Sequence, residues 1–95
     1  MAFTAYEKSM RNRRKKIAIV RSLKEGNPCT DCKGRFHHAA MQWDHLPGTE
    51  KVANVSEMYV NHGIESILRE IEKCELVCAN CHAVRTYERG VAQSG

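Results

Sequence analysis

The first half of the chain carries apolar residues at helical spacing. Tyr6, Met10, Ile17 and Val20 form one stripe, which Arg13 interrupts. Thr4 and Glu7 have the spacing of a capping box, and Gly26 followed by Pro28 is a stop signal. We therefore predict a helix over residues 5–25.

A second helical pattern lies near the middle, where apolar residues recur at i, i+3, i+4 and i+7 at Ile64, Ile67, Leu68 and Ile71. It predicts an amphipathic helix over residues 64–73. The mildly apolar residues 39–45 predict a short strand that ends before Pro47 and Gly48, and residues 75–77 predict another. A last helix is expected over residues 79–89, ended by Gly90.

Charge is distributed unevenly along the 95 residues, whose net charge is +4. Residues 1–43 hold ten basic and three acidic side chains, whereas residues 44–95 hold five basic and eight acidic ones. A basic first half favours a polyanionic partner such as nucleic acid, but a solvated charged helix would have the same composition. With a mean hydropathy of −0.53 and no apolar run long enough for a signal core or a membrane span, we expect a small cytoplasmic domain without a membrane partner.

Cysteine spacing gives the strongest chemical signal. Two Cys-x-x-Cys pairs, separated by 45 residues, are formed by Cys29 and Cys32 and by Cys78 and Cys81. A turn or a helix start at this spacing directs two sulfurs at one ion, so we predict a structural Zn²⁺ site. A redox pair of the thioredoxin kind would need a βαβ context that the pattern lacks. We expect Gly34 to supply a positive φ in the first turn, and Cys74 to be a small buried side chain rather than a fifth ligand.

Asp44, His45 and His82 are candidates for a second site. Asp44 and His45 end the first predicted strand, where neighbouring residues point to opposite faces, so one could bind a cation while the other faces a substrate. His82 follows Cys81 directly and shares a helix face with Arg85. An Asp-His pair is also typical of a surface turn. The other histidines, His37, His38 and His62, are expected to be solvated or at the edge of the core.

The ordered motifs CTDC, WDH and EIEKCELVCANCHAVRT, within residues 28–89, resemble the zinc-stapled HNH endonucleases that bacteriophages and mobile elements often encode. The resemblance implies an α+β fold with a small ββα-metal core, also called a His-Me finger. The long connection over residues 46–74 departs from the family, because it inserts a helix into what is usually a simpler hairpin. Residues 1–27 would be a basic N-terminal helical extension, and residues 28–95 the HNH nuclease domain.

The resemblance also implies a division of roles. Asp44 and His82 would bind one catalytic divalent cation, His45 would be the general base, and Arg85 could add positive charge. A mixed oxygen and nitrogen ligand set suits Mg²⁺ or Mn²⁺, and also Ni²⁺ or Co²⁺. The implied activity is metal-dependent hydrolysis of DNA phosphodiester bonds, by nicking or by double-strand cleavage.

One position departs from the family pattern. The asparagine that usually precedes the third cysteine by five residues, and is thought to brace the loop around the metal, is here Lys73. Lysine has donors but no acceptor, so it cannot replace the amide, although it could reach a phosphate. Asn54 or Asn61 could brace the loop instead. The candidate phosphate contacts are Arg11, Arg13, Arg14, Lys15, Lys16 and Lys73.

Two other classes of function fit the same sequence. The protein could be a zinc-containing module that binds DNA without cleaving it, or a structural zinc protein of a phage assembly. DNA is the expected partner in the first case and phage packaging proteins in the second. The sequence leaves the oligomeric state open.

Overall fold

The computed structural model describes residues 5–94, with side chains from Glu7 to Gly90. Three helices and two strands follow in the order α1 (Ala5–Glu25), β1 (Met41–His45), α2 (Ile64–Ile71), β2 (Cys74–Cys78) and α3 (Ala79–Ser94). Short 3₁₀ helices lie at His38–Ala40 and Val55–Glu57. The predicted α+β class is confirmed, while the capping box at Thr4 falls outside the described residues.

The two strands form an antiparallel sheet. Met41 is paired with Cys78 and His45 with Cys74, so the register spans both strands completely. The connection from β1 to β2 contains α2, as predicted, and α3 begins at the residue after β2. The end of β1 therefore lies beside the start of β2, and the second cysteine pair lies beside the start of β1.

The core consists of two groups of buried residues that meet at Trp43. The first group lies around the cysteines and contains Cys29, Met41, Leu76, Val77 and Cys78. The second joins α1 and α2 through Val20, Val55, Met58 and Ile67, and Trp43 packs against both groups. Val20 is 1% exposed, so the second half of α1 contributes directly to the core.

The buried face of α2 differs from the predicted stripe. Leu68 is 36% exposed, whereas Glu70 is only 2% exposed and lies beside Ile67 on the inner face. A carboxylate can occupy that position because three hydrogen-bond donors from outside the helix, described below, compensate its burial. The helix ends at Ile71, two residues before the predicted end, because the chain turns into β2 at Cys74.

Two predictions about glycine are wrong. Gly90 does not end α3, which continues to Ser94, because glycine weakens a helix interior by only about 1 kcal/mol. In the turn after Cys32, the positive φ belongs to Lys33, at 65°, and not to Gly34. A Cβ at Gly34 would lie 2.7 Å from the ring of the partly exposed Phe36, so a larger residue there would displace that ring.

Within the described residues, none of the helices combines the length and the apolar character needed to cross a membrane.

Candidate metal centres

The four paired cysteines converge on one point. The Sγ atoms of Cys29, Cys32, Cys78 and Cys81 all lie within 4.8 Å of one another. Four sulfurs so arranged could hold a structural metal such as zinc, which prefers tetrahedral thiolate ligands. Cys74 is outside the group, as predicted, and its Sγ contacts the backbone oxygen of Glu70 at 3.4 Å.

Backbone N–H groups favour the thiolate form of Cys29, whereas the hydrogen bond with the Cys78 side chain and then burial raise the pKa of Cys81 to about 12. Cys78 N donates to Cys29 Sγ at 3.3 Å, and Cys81 N donates to Cys78 Sγ at 3.5 Å. Burial by itself would raise the pKa of Cys29, but backbone hydrogen bonds from Cys32, Cys78 and Asp31 lower it to about 6. The thiolate is the metal-binding form, so the local fold prepares the sulfur for a cation.

Asp44 and α3 form the second candidate centre. Asp44 is 3% exposed, and its strand neighbour Gln42 on the same face also contacts α3. His82 Nε2 lies 3.4 Å from Asp44 Oδ1. The structure thus brings the two predicted metal ligands together, one from β1 and one from the helix that begins after the second cysteine pair.

The tautomer of His82 is set by Gln42. The amide oxygen of Gln42 accepts a hydrogen bond from His82 Nδ1, so that nitrogen carries the proton. In the neutral ring the Nε2 lone pair then faces the Asp44 carboxylate. A protonated His82 would donate Nε2–H to Asp44 as an ion pair, whereas a neutral ring would need a cation between the two acceptors.

Two arginines of α3 share the same carboxylate. Arg89 Nη1 and Nη2 donate to the two oxygens of Asp44, each at 2.7 Å, and Arg85 Nη1 donates to Oδ2 at 2.8 Å. Burial would raise the pKa of Asp44, but the hydrogen bonds from Arg89 and Arg85 outweigh it and lower the pKa to about 2. Asp44 is therefore ionised at neutral pH, and a cation that binds it must compete with two guanidinium groups.

Arg85 connects this centre to the cysteine cluster. Its Nε and Nη2 donate to the carboxylate of Asp31, between the first two cysteines, at 2.7 and 2.6 Å. Hydrogen bonds to Asp31 and then to Asp44 raise its pKa further, and Glu75 Oε1 lies 3.1 Å from Nη2. Arg85 is thereby fixed next to the predicted ligands, whereas its predicted contact with substrate stays a prediction.

His45 points to the other face of β1, as strand alternation requires. Its Nε2 lies 2.8 Å from Oε2 of the buried Glu70. Glu70 also accepts hydrogen bonds from Val52 N at 3.0 Å and from Lys73 Nζ at 2.9 Å. The described contacts of His45 are thus with α2 and not with Asp44 or His82.

Lys73 has a structural role that the sequence did not indicate. Besides Glu70, its Nζ donates to the backbone oxygen of Glu50 at 2.7 Å and so ties the loop after β1 to the end of α2. Asn54, one of the proposed braces, donates instead to Glu57 Oε1 at 3.0 Å. Lysine therefore braces the loop itself, through donors alone, and its contact with phosphate stays a prediction.

The basic residues of α1 are mostly exposed. Arg11, Arg13, Arg14 and Lys15 belong to the exposed class, whereas Lys16 is half-buried and its Nζ donates to the backbone oxygen of Tyr59 at 3.4 Å. Four of the five predicted phosphate contacts on this helix are therefore accessible to a polyanion, and Lys16 also helps to dock the helix.

The remaining histidines, His37, His38 and His62, are solvated or at the edge of the core, as predicted. His37 Nδ1 accepts a hydrogen bond from Ala39 N at 3.1 Å, and the His37 and His38 rings lie 4.2 Å apart. His62 is half-buried. None of them belongs to a group of three or more possible metal ligands within the part of the chain that is described.

Three residues of these centres were not singled out from the sequence: Gln42, Glu70 and Arg89. Arg89 lies four residues after Arg85 and seven after His82, so helical spacing places it on their face. Gln42 is two residues before Asp44 and shares its face of the strand. Glu70 gave no comparable signal, because it is one of several charged residues between the apolar positions of α2.

Comparison of the chain with protein-family models, with curated proteins and with solved structures found no match in any of the three.

Proposed function

We propose that the protein is a divalent-metal-dependent endonuclease of the HNH type that hydrolyses DNA phosphodiester bonds, and that its four-cysteine cluster holds structural zinc. The observation that carries the proposal is the pairing of His82 Nε2 with Asp44 Oδ1 at 3.4 Å, which brings an imidazole nitrogen and a carboxylate oxygen within reach of one cation. The resemblance of the CTDC, WDH and CANCH motifs to that family gives the pairing its functional meaning.

The residues would divide the work as follows. Asp44 and His82 would bind a cation, which supplies positive charge for the phosphate and the leaving oxygen as negative charge develops there. His45 would take a proton from the attacking water, because an imidazole nitrogen is the usual general base in such a step. Arg85 and Arg89, once displaced from Asp44, would be next to the phosphate, and the exposed basic residues of α1 would bind the flanking backbone.

The test is cleavage of supercoiled plasmid by zinc-loaded protein across a titration of Mn²⁺ or Mg²⁺. Wild type is expected to cut only with the added cation. His45→Ala should keep zinc, fold and DNA affinity but lose about 10²- to 10⁴-fold in rate, which added Mn²⁺ does not restore. His82→Ala should also lower the affinity for the cation, so a high Mn²⁺ concentration should partly restore its cleavage rate.

His62→Ala is the matched control, because His62 lies outside both centres, and it should cut like wild type. Equal activity of wild type, His45→Ala and His82→Ala would exclude this site. No metal-dependent cleavage by wild type would exclude the nuclease.

The second candidate is a zinc-containing module that binds DNA without cleaving it. The hydrogen bonds from Arg85 and Arg89 to Asp44 favour it, because they already neutralise the carboxylate without a cation. In this case Asp44 orients two arginines. The plasmid would be bound but uncut at every Mn²⁺ concentration, and Asp44→Asn would weaken binding instead of cleavage.

A further inference from the structure

Glu70 is a buried carboxylate whose partners converge on one histidine and one loop. It is 2% exposed on the inner face of α2, next to Ile67, where an apolar side chain would pack without a desolvation cost. Its Oε2 binds His45 Nε2 at 2.8 Å and Val52 N at 3.0 Å, and its Oε1 binds Lys73 Nζ at 2.9 Å. The cost of burying this charge is thus offset by hydrogen bonds from His45, Val52 and Lys73.

An ionised carboxylate can only accept hydrogen bonds, and this decides which nitrogen of His45 carries the proton. Burial would raise the pKa of Glu70, but the hydrogen bonds from Lys73, Val52 and His45 lower it to about 2, so the group is charged at neutral pH. His45 Nε2 must then be the donor. In the neutral ring the lone pair is left on Nδ1.

Lys73 binds the other oxygen of the Glu70 carboxylate. Its Nζ bridges Glu70 Oε1 and the backbone oxygen of Glu50, at 2.9 and 2.7 Å. The carboxylate is therefore bound by three donors from three segments: β1, the loop after it, and the turn between α2 and β2. The side chain of His45 is 14% exposed, and its Nε2 faces the buried carboxylate.

We propose that Glu70, braced by Lys73, is the positioning residue of His45: it fixes the ring with the proton on Nε2 and presents Nδ1 as the nitrogen that accepts the proton of the attacking water. This inference rests on the proposed nuclease function in one respect, namely that the proton accepted by Nδ1 comes from the attacking water. The orientation and the tautomer of the ring do not depend on that function, and they can be measured without it.

The first measurement is a long-range ¹H–¹⁵N spectrum of the full chain, zinc-loaded and without a catalytic cation, at a pH where the His45 ring carries one proton. We expect the Nε2–H form in wild type, and a mixture of both tautomers in Glu70→Gln, because an amide can donate as well as accept. Glu72→Gln, at an exposed position just after α2, should leave the wild-type spectrum unchanged. A dominant Nδ1–H form in wild type would overturn the proposal, whatever the variants do.

The second measurement separates positioning from a merely structural role. In plasmid cleavage, Glu70→Gln should lower kcat by about 10-fold or more while KM changes little, since groups that orient a reacting residue typically matter by this amount. Lys73→Met should give a smaller loss of the same kind, and Glu72→Gln none. If wild type cuts DNA and Glu70→Gln cuts equally fast with the same His45 tautomer, the positioning role is wrong and the nuclease stands.

The reverse outcome is also distinguishable. If wild type cuts nothing, but His45 has the Nε2–H form and Glu70→Gln loses it, the positioning of His45 stands and the nuclease function fails.

Discussion

The backbone N–H of Cys78 donates to the Sγ atom of Cys29 at 3.3 Å, across 49 residues of sequence. This contact joins the turn of the first cysteine pair to the end of β2. Cys29 N and Gly34 O close the turn at 2.9 Å, and Thr30 N reaches Leu76 O at 2.8 Å. The first turn is thus attached to β2 by backbone hydrogen bonds as well as by the contact between Cys78 N and Cys29 Sγ.

Loss of a cluster cysteine should unfold the domain. Structural zinc contributes about 10–16 kcal/mol in small domains, which is comparable to or larger than the whole free energy of unfolding, about 5–15 kcal/mol. Cys29→Ser and Cys81→Ser are expected to lose zinc and helical circular dichroism, and a strong chelator should do the same to wild type. Cys74→Ser is the control that keeps both. A folded Cys29→Ser protein, or purified wild type without bound zinc, would refute the zinc site.

Neutralising the exposed basic residues of α1 should weaken DNA binding without changing sequence preference. Each lost phosphate contact lowers the slope of log affinity against log salt by about 0.9. Glutamine at Arg11, Arg13, Arg14 and Lys15 is therefore expected to flatten this slope, whereas glutamine at Arg35 and Lys51, which lie outside α1, should change it less. Fluorescence anisotropy with labelled duplexes at several salt concentrations measures the slope, and an unaltered slope would mean that the helix is a solvated face.

Removal of Arg89 should strengthen binding of Mn²⁺. Arg89 occupies both oxygens of Asp44, and a hydrogen bond to a charged group contributes about 1.5 kcal/mol, which corresponds to about a tenfold change in affinity. Calorimetric titration of zinc-loaded Arg89→Ala with Mn²⁺ should show this gain. Arg69→Ala, on the exposed face of α2, serves as the control. If the Mn²⁺ affinity is the same or lower in Arg89→Ala, Asp44 is not the ligand.

Two neighbouring residues of α2 should differ sharply in their contribution to stability. Ile67 is 0% exposed and Leu68 is 36% exposed. Ile67→Ala should lower the free energy of unfolding by about 2–5 kcal/mol, because it leaves a cavity between α1 and α2, whereas Leu68→Ala should cost about 1 kcal/mol or less. Urea unfolding of the zinc-loaded proteins measures both, and similar losses would contradict the burial pattern.

Local signals were enough to predict most of the secondary structure. The C-terminal end of α1 matches the prediction because Gly26 and Pro28 act within a few residues, whatever the rest of the chain does. The prediction failed where one residue was expected to decide alone, since Gly90 has no following proline and α3 simply continues. One position of the predicted α2 stripe was wrong: Ile64, Ile67 and Ile71 pack in the core, but Leu68 is exposed. The hydrophobic pattern did not indicate the donors that allow Glu70 to be buried.

The candidate site was predictable in part, for a similar reason. Spacing alone brought the cysteine pairs together, and helical periodicity placed His82 and Arg85 on one face. The role of Glu70 depends on a distant register: His45 is paired with Cys74, and this pairing places the end of β1 beside the last turn of α2. His45 and Glu70 are 25 residues apart in the sequence, so no local pattern indicates their contact.

The carboxylate of Asp44 also determines how α3 is rotated about its own axis. His82, Arg85 and Arg89 reach it from successive turns of one helix face. A single residue inserted between His82 and Arg85 would rotate everything after it by about 100°, turning both arginines away from the strand while the cysteines and His82 stayed in place. Length changes in α3 should therefore be tolerated after Arg89 and not before it, and the spacing from Cys78 to Arg89 is part of the site as much as the residues themselves.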